Sequence, residues 1–137
     1  MNDTALAQYI VDNFAGTETT TSYGYTFFFF GSERKLPFAT IASADNEHDS
    51  ISNLDRPGVF RLNIGVSKKT FQSLFGKDRV DTASYDYTAL DRVMPHPEYA
   101  AWNFICVLNP SEATMTEVKL FLAEAYDLAR SRAGEAD

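Results

Sequence analysis

The chain has 137 residues, of which 45% are hydrophobic and 23% are charged, and its formal net charge is -7. This length suits one substantial core, so we expect a single domain over residues 1–137. No apolar run approaches the roughly 20 residues that a membrane span needs, and the first residues do not resemble a secretory signal. We therefore expect a cytoplasmic protein with no membrane partner. The acidic charge argues against nucleic acid as a partner.

The first elements in the chain are a helix and a phenylalanine-rich strand. Apolar spacing predicts a helix over residues 4–14, capped by Asn2 or Asp3. After a Thr-rich stretch, the run Tyr25–Phe30 places aromatic side chains on both faces, which predicts a central strand covered on both sides. A polar hairpin turn over residues 32–36 then leads into a second strand, and residues 45–58 form a loop.

The clearest strand in the sequence covers residues 59–66. Apolar residues alternate along it, which puts Arg61 and Asn63 together on the opposite face. Ser67 is a suitable N-cap for a short helix that Gly76 ends. Two lysines in the first turn of this helix are unexpected, because the positive end of the helix dipole repels cations.

The C-terminal part is predicted to contain a short helix over residues 87–93, a buried strand at Phe104–Leu108 and a long closing helix. Thr114 and Glu117 have the spacing of a capping box for that last helix. Together the elements predict an α+β fold, a two-layer sandwich of a mainly antiparallel sheet with helices on one face.

A basic segment suggests a binding site. Residues 56–79 contain six of the twelve Lys and Arg residues against one Asp, a net charge of +5 in an acidic chain. The free N–H groups of a helix start, together with nearby cations, can hold a phosphate or a carboxylate. The predicted anion-binding residues are Arg61, Asn63, Ser67, Lys68 and Lys69. The alternative is a set of solvated lysines with no ligand.

A second group of candidates surrounds a histidine fixed between two prolines. His96, Glu98, Tyr99 and Trp102 bring an imidazole, a carboxylate and two aromatic rings close together in the sequence. They predict a pocket in which His96 could act as a base, against the alternative of a histidine hydrogen-bonded at a turn. The sequence has two aromatic groups, Phe27–Phe30 and Tyr99 with Trp102, and both are interpreted as core. If the sheet has an open face, they would instead line a pocket or a homodimer interface.

No pattern typical of a catalytic or metal site is present. The sequence has no CxxC, HExxH, GxSxG or GxGxxG motif, and the acidic loop at residues 45–49 lacks the spacing of an EF-hand. We therefore predict no catalytic residues, no metal and no cofactor. The single cysteine, Cys106, lies in an apolar run and is interpreted as a buried, unreactive thiol.

The segments RPGVFRLNIGVSKKTF, MPHPEYAAW and FICVLNPSEAT occur in this order, and with them the chain resembles a family of uncharacterised bacterial proteins known only as a domain of unknown function (number 6194). The segment over residues 95–99, the strand with its aromatic entrance over 102–108, and EAYDLA are more loosely similar to MmcQ/YjbR-like proteins. That similarity implies a YjbR/CyaY-like fold, in agreement with the sandwich above. It also implies suspected DNA binding, and it brings no catalytic residues.

The leading hypothesis is a small non-enzymatic binding module for an acidic protein or a small anion. Two alternatives stay open: a small enzyme with a pocket around His96, and the nucleic-acid binding suspected for YjbR-like proteins.

Overall fold

The structure, a computed structural model, describes residues 1–32 and 34–136 of the chain. Its elements in chain order are helix α1 (Asp3–Asn13), strands β1 (Thr17–Ser22), β2 (Tyr25–Phe30), β3 (Ala39–Ala42) and β4 (Arg61–Gly65), helix α2 (Lys68–Phe75), strands β5 (Met94–Pro95) and β6 (Phe104–Leu108), and helix α3 (Glu112–Ala136), with short 3-10 helices at Thr82–Ser84 and Ala100–Trp102. The predicted hairpin turn over residues 32–36 includes Glu33, which lies outside the described residues.

Within the described residues, six strands form one antiparallel sheet in the order β1-β2-β3-β4-β6-β5. Successive side chains of a strand point to opposite faces, so the register defines two different surfaces. One row across the first face consists of Phe28, Ala39, Ile64 and Ile105, which are cross-strand partners and are all buried. The helices pack on this face.

The main core lies between that face and the apolar stripes of the helices. Leu6 and Ile10 of α1, Phe71 of α2 and Leu122 of α3 belong to one buried cluster with the sheet residues. The α+β architecture with a mainly antiparallel sheet is therefore confirmed. The capping roles of Asn2 and Ser67 are confirmed too, since their side chains accept hydrogen bonds from the backbone N–H groups three residues later.

Several local predictions differ from the structure. The helix predicted over residues 87–93 is wrong, because that segment is irregular and leads into β5. The capping box at Thr114 is also wrong: α3 begins at Glu112, and the hydroxyl of Ser111 accepts the hydrogen bond from the N–H of Thr114. Strand β1 was not predicted, because its nearly fully exposed TETTTS sequence has no apolar alternation.

The phenylalanine-rich strand β2 is only partly as predicted. It is an interior strand between β1 and β3, and Phe28 on its first face is fully buried. On its second face, Tyr25 and Phe27 are only half-buried. This second face of the sheet is therefore not completely covered, and the candidate site lies there.

Candidate functional site

Polar side chains follow the second face of the sheet in two adjacent rows. The register pairs Phe27 with Thr40, Thr40 with Asn63, and Asn63 with Cys106. In the next row, Ala42 is paired with Arg61. A charged residue, an amide and a hydroxyl are thus placed side by side in the middle of the sheet.

Loops cover one half of this face and leave the other half as a cavity. Leu54, Tyr87 and Met94 close the first half by packing on Cys106 and Leu108 of β6. Over the other half lies a cavity of about 640 Å³. Its walls are largely aromatic, and its lining includes Tyr25, Phe27, Tyr99, Trp102 and Phe104.

A glycine shapes one wall of the cavity. Gly65 is the cross-strand partner of Phe104, and a Cβ atom built on Gly65 would approach the Phe104 ring to 2.9 Å. Real Cβ atoms do not make such contacts, so the missing side chain allows the ring to lie against the backbone of β4.

The floor of the cavity contains a buried ion pair. Arg61 is only 1% exposed, and its Nη2 donates to Asp49 Oδ2 at 2.5 Å while Nη1 donates to Asp49 Oδ1 at 3.3 Å. The hydroxyl of Tyr25 also donates to Asp49. The guanidinium donates two further hydrogen bonds, from Nη1 to the hydroxyl of Ser52 and from Nε to the amide oxygen of Asn63.

These contacts shift the pKa values of the three ionisable groups. Burial by itself would raise the pKa of Asp49, but the hydrogen bonds from Arg61 and Tyr25 outweigh it and lower that pKa. Burial also opposes the charge of Arg61, and its contacts with Asp49 still raise its pKa. Burial, reinforced by Asp49, raises the pKa of Tyr25 to about 12. The site therefore contains a charged Asp49–Arg61 ion pair and the neutral phenol of Tyr25.

His96 adds a neutral imidazole to the same cavity. Its Nδ1 accepts hydrogen bonds from the backbone N–H groups of Glu98 and Tyr99, both at 3.0 Å. A nitrogen that accepts cannot carry the proton, so the neutral ring has its proton on Nε2. Burial, with a further contribution from the charge of Arg61, lowers the pKa of His96 to about 3. His96 is thus a fixed hydrogen-bond donor at neutral pH.

The predicted pocket residues are brought together by the structure. His96, Glu98, Tyr99 and Trp102 all line the cavity, and the ring of Tyr99 lies over that of His96 with a centroid distance of 4.9 Å. Glu98, Tyr99 and Trp102 are exposed and form part of its rim. His96 is 5% exposed and lies deeper.

The predicted anion-binding residues are divided between two places. Arg61 and Asn63 lie in the cavity floor, whereas Lys68 lines a separate groove of about 380 Å³ together with Lys77 and Arg79. Lys68 and Lys69 are exposed.

The start of α2 already holds an anionic group from within the chain. The carboxylate of Glu124 on α3 accepts from the N–H of Ser67 at 2.6 Å and from the hydroxyl of Thr70 at 2.7 Å. This carboxylate lies at the N-terminus of α2, where the sequence suggested an external anion. Its negative charge interacts favourably with the positive end of the helix dipole. The two exposed lysines beside it then cost the helix only a few tenths of a kcal/mol each.

We expect replacement of Glu124 by Ala to lower the free energy of unfolding by about 2 kcal/mol, because two hydrogen bonds to a charged group are lost. Glu117→Ala is the matched control, since Glu117 is exposed on the same helix, and it should change stability by less than about 0.5 kcal/mol. Urea unfolding of both variants measures the difference. Equal stabilities would show that Glu124 does not cap α2.

Asp49, Tyr25 and Thr40 belong to the site but were not among the predicted residues. Asp49 lies in the acidic loop at residues 45–49, and no local signal in the sequence shows that this loop folds back over the sheet. The pairing of β2, β3 and β4 places Tyr25 and Thr40 in the same rows as Arg61 and Asn63 on the second face. The sequence signal that could have indicated these residues is the placement of Arg61 and Asn63 on one face of a strand. Buried polar side chains need hydrogen-bond partners, which neighbouring strands can supply.

Metal clusters and membrane-spanning helices are both absent from the residues that the structure describes. Among the described residues, no group of three or more His, Cys, Asp or Glu side chains could hold a metal ion. In the same part of the chain, no helix is both long and apolar enough to cross a membrane. Cys106 is fully buried beside Asn63 on the second face, and burial raises the pKa of its thiol to about 12.

Comparison with known proteins identifies a family but no activity. A family model described as "Family of unknown function (DUF6194)" matches residues 1–137. No curated protein and no solved structure matches the chain. The looser similarity to MmcQ/YjbR-like proteins stays a prediction.

Proposed function

Because the chain belongs to this family of unknown function, we propose from the geometry of the site that the protein is a binding module for a small organic molecule, held in the cavity on the second face of the sheet. The observation that supports this most is the combination of an aromatic cavity of about 640 Å³ with buried polar side chains in its floor. Cavities of this size, mostly apolar with a few fixed polar groups, are typical of small-molecule sites.

The buried ion pair supports binding because it is arranged in advance. Arg61 and Asp49 hold each other, and Asn63 and Ser52 fix the guanidinium further. Such a network does not need to reorganise when a ligand enters, which reduces the free energy cost of binding. Apolar residues of similar volume in place of the ion pair would stabilise the sheet at least as well. A buried polar network below an open cavity therefore favours a binding role.

The alternative of an enzyme with His96 as a general base has less support. The Nε2 atom already carries the proton, and Nδ1 accepts from two backbone N–H groups. With a pKa of about 3, the ring would not take up a proton near neutral pH. His96 suits recognition better than proton transfer.

An acidic partner at the basic segment is also less well supported by the geometry. Arg61 is paired with Asp49, and the guanidinium of Arg56 donates to the backbone carbonyl groups of Ser52, Asn53 and Thr88. Two of the six cations in the segment therefore serve internal contacts. A homodimer, nucleic-acid binding and a cytoplasmic location stay untested predictions.

Calorimetric titration with two naphthalene probes tests the proposal. The probes 2-naphthoate and 2-naphthylmethylammonium share one ring system and differ in the polar group. We expect at least one to bind with 1:1 stoichiometry. Trp102→Ala should weaken that binding about two- to tenfold, since an aromatic contact contributes roughly 0.5–1.5 kcal/mol.

Leu120→Ala is the control variant. Leu120 is 68% exposed on α3 and does not line the cavity, whereas Trp102 is 71% exposed at its rim. Both truncations remove a large exposed side chain, and only the one at Trp102 should affect binding. Failure of both probes and of the neutral analogue 2-naphthamide to bind, or equal affinities for the two variants, would contradict the proposal.

A further inference from the structure

We infer that the ligand of the cavity carries an acceptor oxygen, a carboxylate or a carbonyl, on a planar apolar body, because the polar groups left unpartnered in the floor are hydrogen-bond donors. This inference rests on the proposed function and specifies the chemistry of the ligand. It follows from counting the protons and lone pairs of Arg61, Asn63, Thr40 and His96.

Arg61 retains one N–H group for a ligand. A guanidinium has five N–H groups. The Nε–H group donates to Asn63, and the two N–H groups of Nη1 donate to Asp49 and Ser52. One N–H group of Nη2 donates to Asp49. The second N–H of Nη2 has no partner among the residues that the structure describes. Arg61 lines the cavity although only 1% of its surface is exposed, so this N–H belongs to a side chain at the base of the cavity.

Asn63 and Thr40 provide further donors. The amide oxygen of Asn63 accepts from Arg61, and its Nδ2 donates one of two protons to the hydroxyl oxygen of Thr40 at 2.8 Å. The second Nδ2 proton and the hydroxyl proton of Thr40 have no acceptor in the described part of the chain. Both side chains line the cavity, although both are at least nine-tenths buried.

His96, which directly follows β5, presents its Nε2–H to the same cavity. Within the described residues, no fully enclosed side-chain nitrogen or oxygen lacks a hydrogen-bond partner. Nε2 has no such partner, so it must be accessible, and the cavity is the space that His96 lines. Because Nδ1 accepts from two backbone N–H groups, Nε2 can only donate.

The side-chain oxygens of Asn63 and Thr40 in the floor each already receive a hydrogen bond. The two carboxylate oxygens of Asp49 receive hydrogen bonds from Arg61 and Tyr25. The carboxylate of Glu98 is not in the floor but at the exposed rim. A ligand that places N–H groups or a positive charge in the floor would meet donors and leave them unpaired, which is costly in a buried site. A ligand oxygen would satisfy several of them at once.

The aromatic walls of the cavity indicate the shape of the apolar part of the ligand. Phe27, Phe104, Tyr99 and Trp102 supply aromatic surface around the polar floor. Aromatic rings favour stacked or edge-to-face contacts with another ring. A planar molecule with its oxygen directed to the floor would use both parts of the cavity.

Three probes with one ring system test the inference on the wild-type protein. They are 2-naphthoate, 2-naphthamide and 2-naphthylmethylammonium, with dissociation constants measured by calorimetry. We expect the ammonium probe to bind at least tenfold more weakly than the better of the other two. Tighter binding of the carboxylate would indicate an organic anion, and tighter binding of the amide a neutral carbonyl compound. Either result supports the inference.

Equal or tighter binding of the ammonium probe in the cavity would overturn the inference and leave the proposed function intact. If none of the three binds, the proposed function is wrong and the inference fails with it.

A variant of His96 tests the donor itself. His96→Asn keeps a side-chain acceptor for the N–H groups of Glu98 and Tyr99 and removes the Nε2–H donor. It should weaken binding of the tighter oxygen-bearing probe about tenfold and so reduce the selectivity for that probe over the ammonium probe. An unchanged affinity for the oxygen-bearing probe would show that His96 does not contact the ligand. If this variant does not fold, the selectivity of the wild-type protein decides the question.

Discussion

Replacement of Asp49 by Asn is expected to lower the free energy of unfolding by about 3 kcal/mol or more. The variant leaves the guanidinium of Arg61, which is 1% exposed, without a counter-charge. Removing one partner of a buried ion pair typically destabilises a protein by roughly 3–5 kcal/mol. Asp49 itself is 15% exposed, so we expect the effect to lie at the lower end of that range. Urea unfolding measures it.

Two controls make the interpretation specific. Glu47→Gln changes a carboxylate that is 83% exposed in the same loop, and it should alter stability by less than about 0.5 kcal/mol. The double variant Asp49→Asn with Arg61→Met removes the unpaired cation, and it should be less destabilised than the sum of the two single variants. An Asp49→Asn protein within about 1 kcal/mol of wild type would mean that the pair is well solvated.

The stability of the protein is expected to fall steeply as the pH is lowered from about 6.5 towards 3, because of His96. In the folded protein its pKa is about 3, compared with 6.5 for an unperturbed histidine. Between these values the unfolded chain binds a proton and the folded chain does not. Stability therefore rises with pH in this window, by up to about 1.4 kcal/mol per pH unit, and His96 no longer contributes a slope above about pH 7.

Thermal or urea unfolding between pH 4 and pH 7 tests this expectation with a matched pair of variants. His96→Asn should flatten the profile by roughly 2–3 kcal/mol over that range, since Asn does not titrate. His48→Asn, at a histidine that is 86% exposed, should leave the profile of the wild-type protein unchanged. Asp49 also loses stabilising contacts in acid, but only below its ordinary pKa of 3.8, so it does not account for a slope near pH 5. A profile that is the same in both variants would contradict the burial of His96.

Elements with regular apolar spacing were predictable from the sequence, and elements held by distant contacts were not. Strand β4 was predicted from the alternation of Phe60, Leu62 and Ile64, which all lie in the core as expected. The segment before β5 has no such period. It is positioned by individual contacts such as the hydrogen bond from the hydroxyl of Tyr87 to the carbonyl of Pro95. A pattern-based prediction of a helix there was wrong for that reason.

The same distinction applies to the site. The residues around His96 are close in sequence, and the structure places them in one cavity. The grouping of Arg61 with Asp49 depends on a loop that returns to the sheet, which no local pattern encodes. The cations at the start of α2 are explained only by Glu124, which lies 57 positions after Ser67. Partners so far apart in sequence cannot be found from spacing alone.

The binding of an acceptor oxygen in the cavity can be observed most directly in a crystal structure of the protein with the tighter-binding probe of 2-naphthoate and 2-naphthamide. We predict that the ring lies between the aromatic walls and that the carboxylate or carbonyl oxygen is about 3 Å from Nε2 of His96 or Nδ2 of Asn63. A probe bound in the groove beside Lys68, Lys77 and Arg79, or no bound probe at saturating concentration, would contradict this prediction.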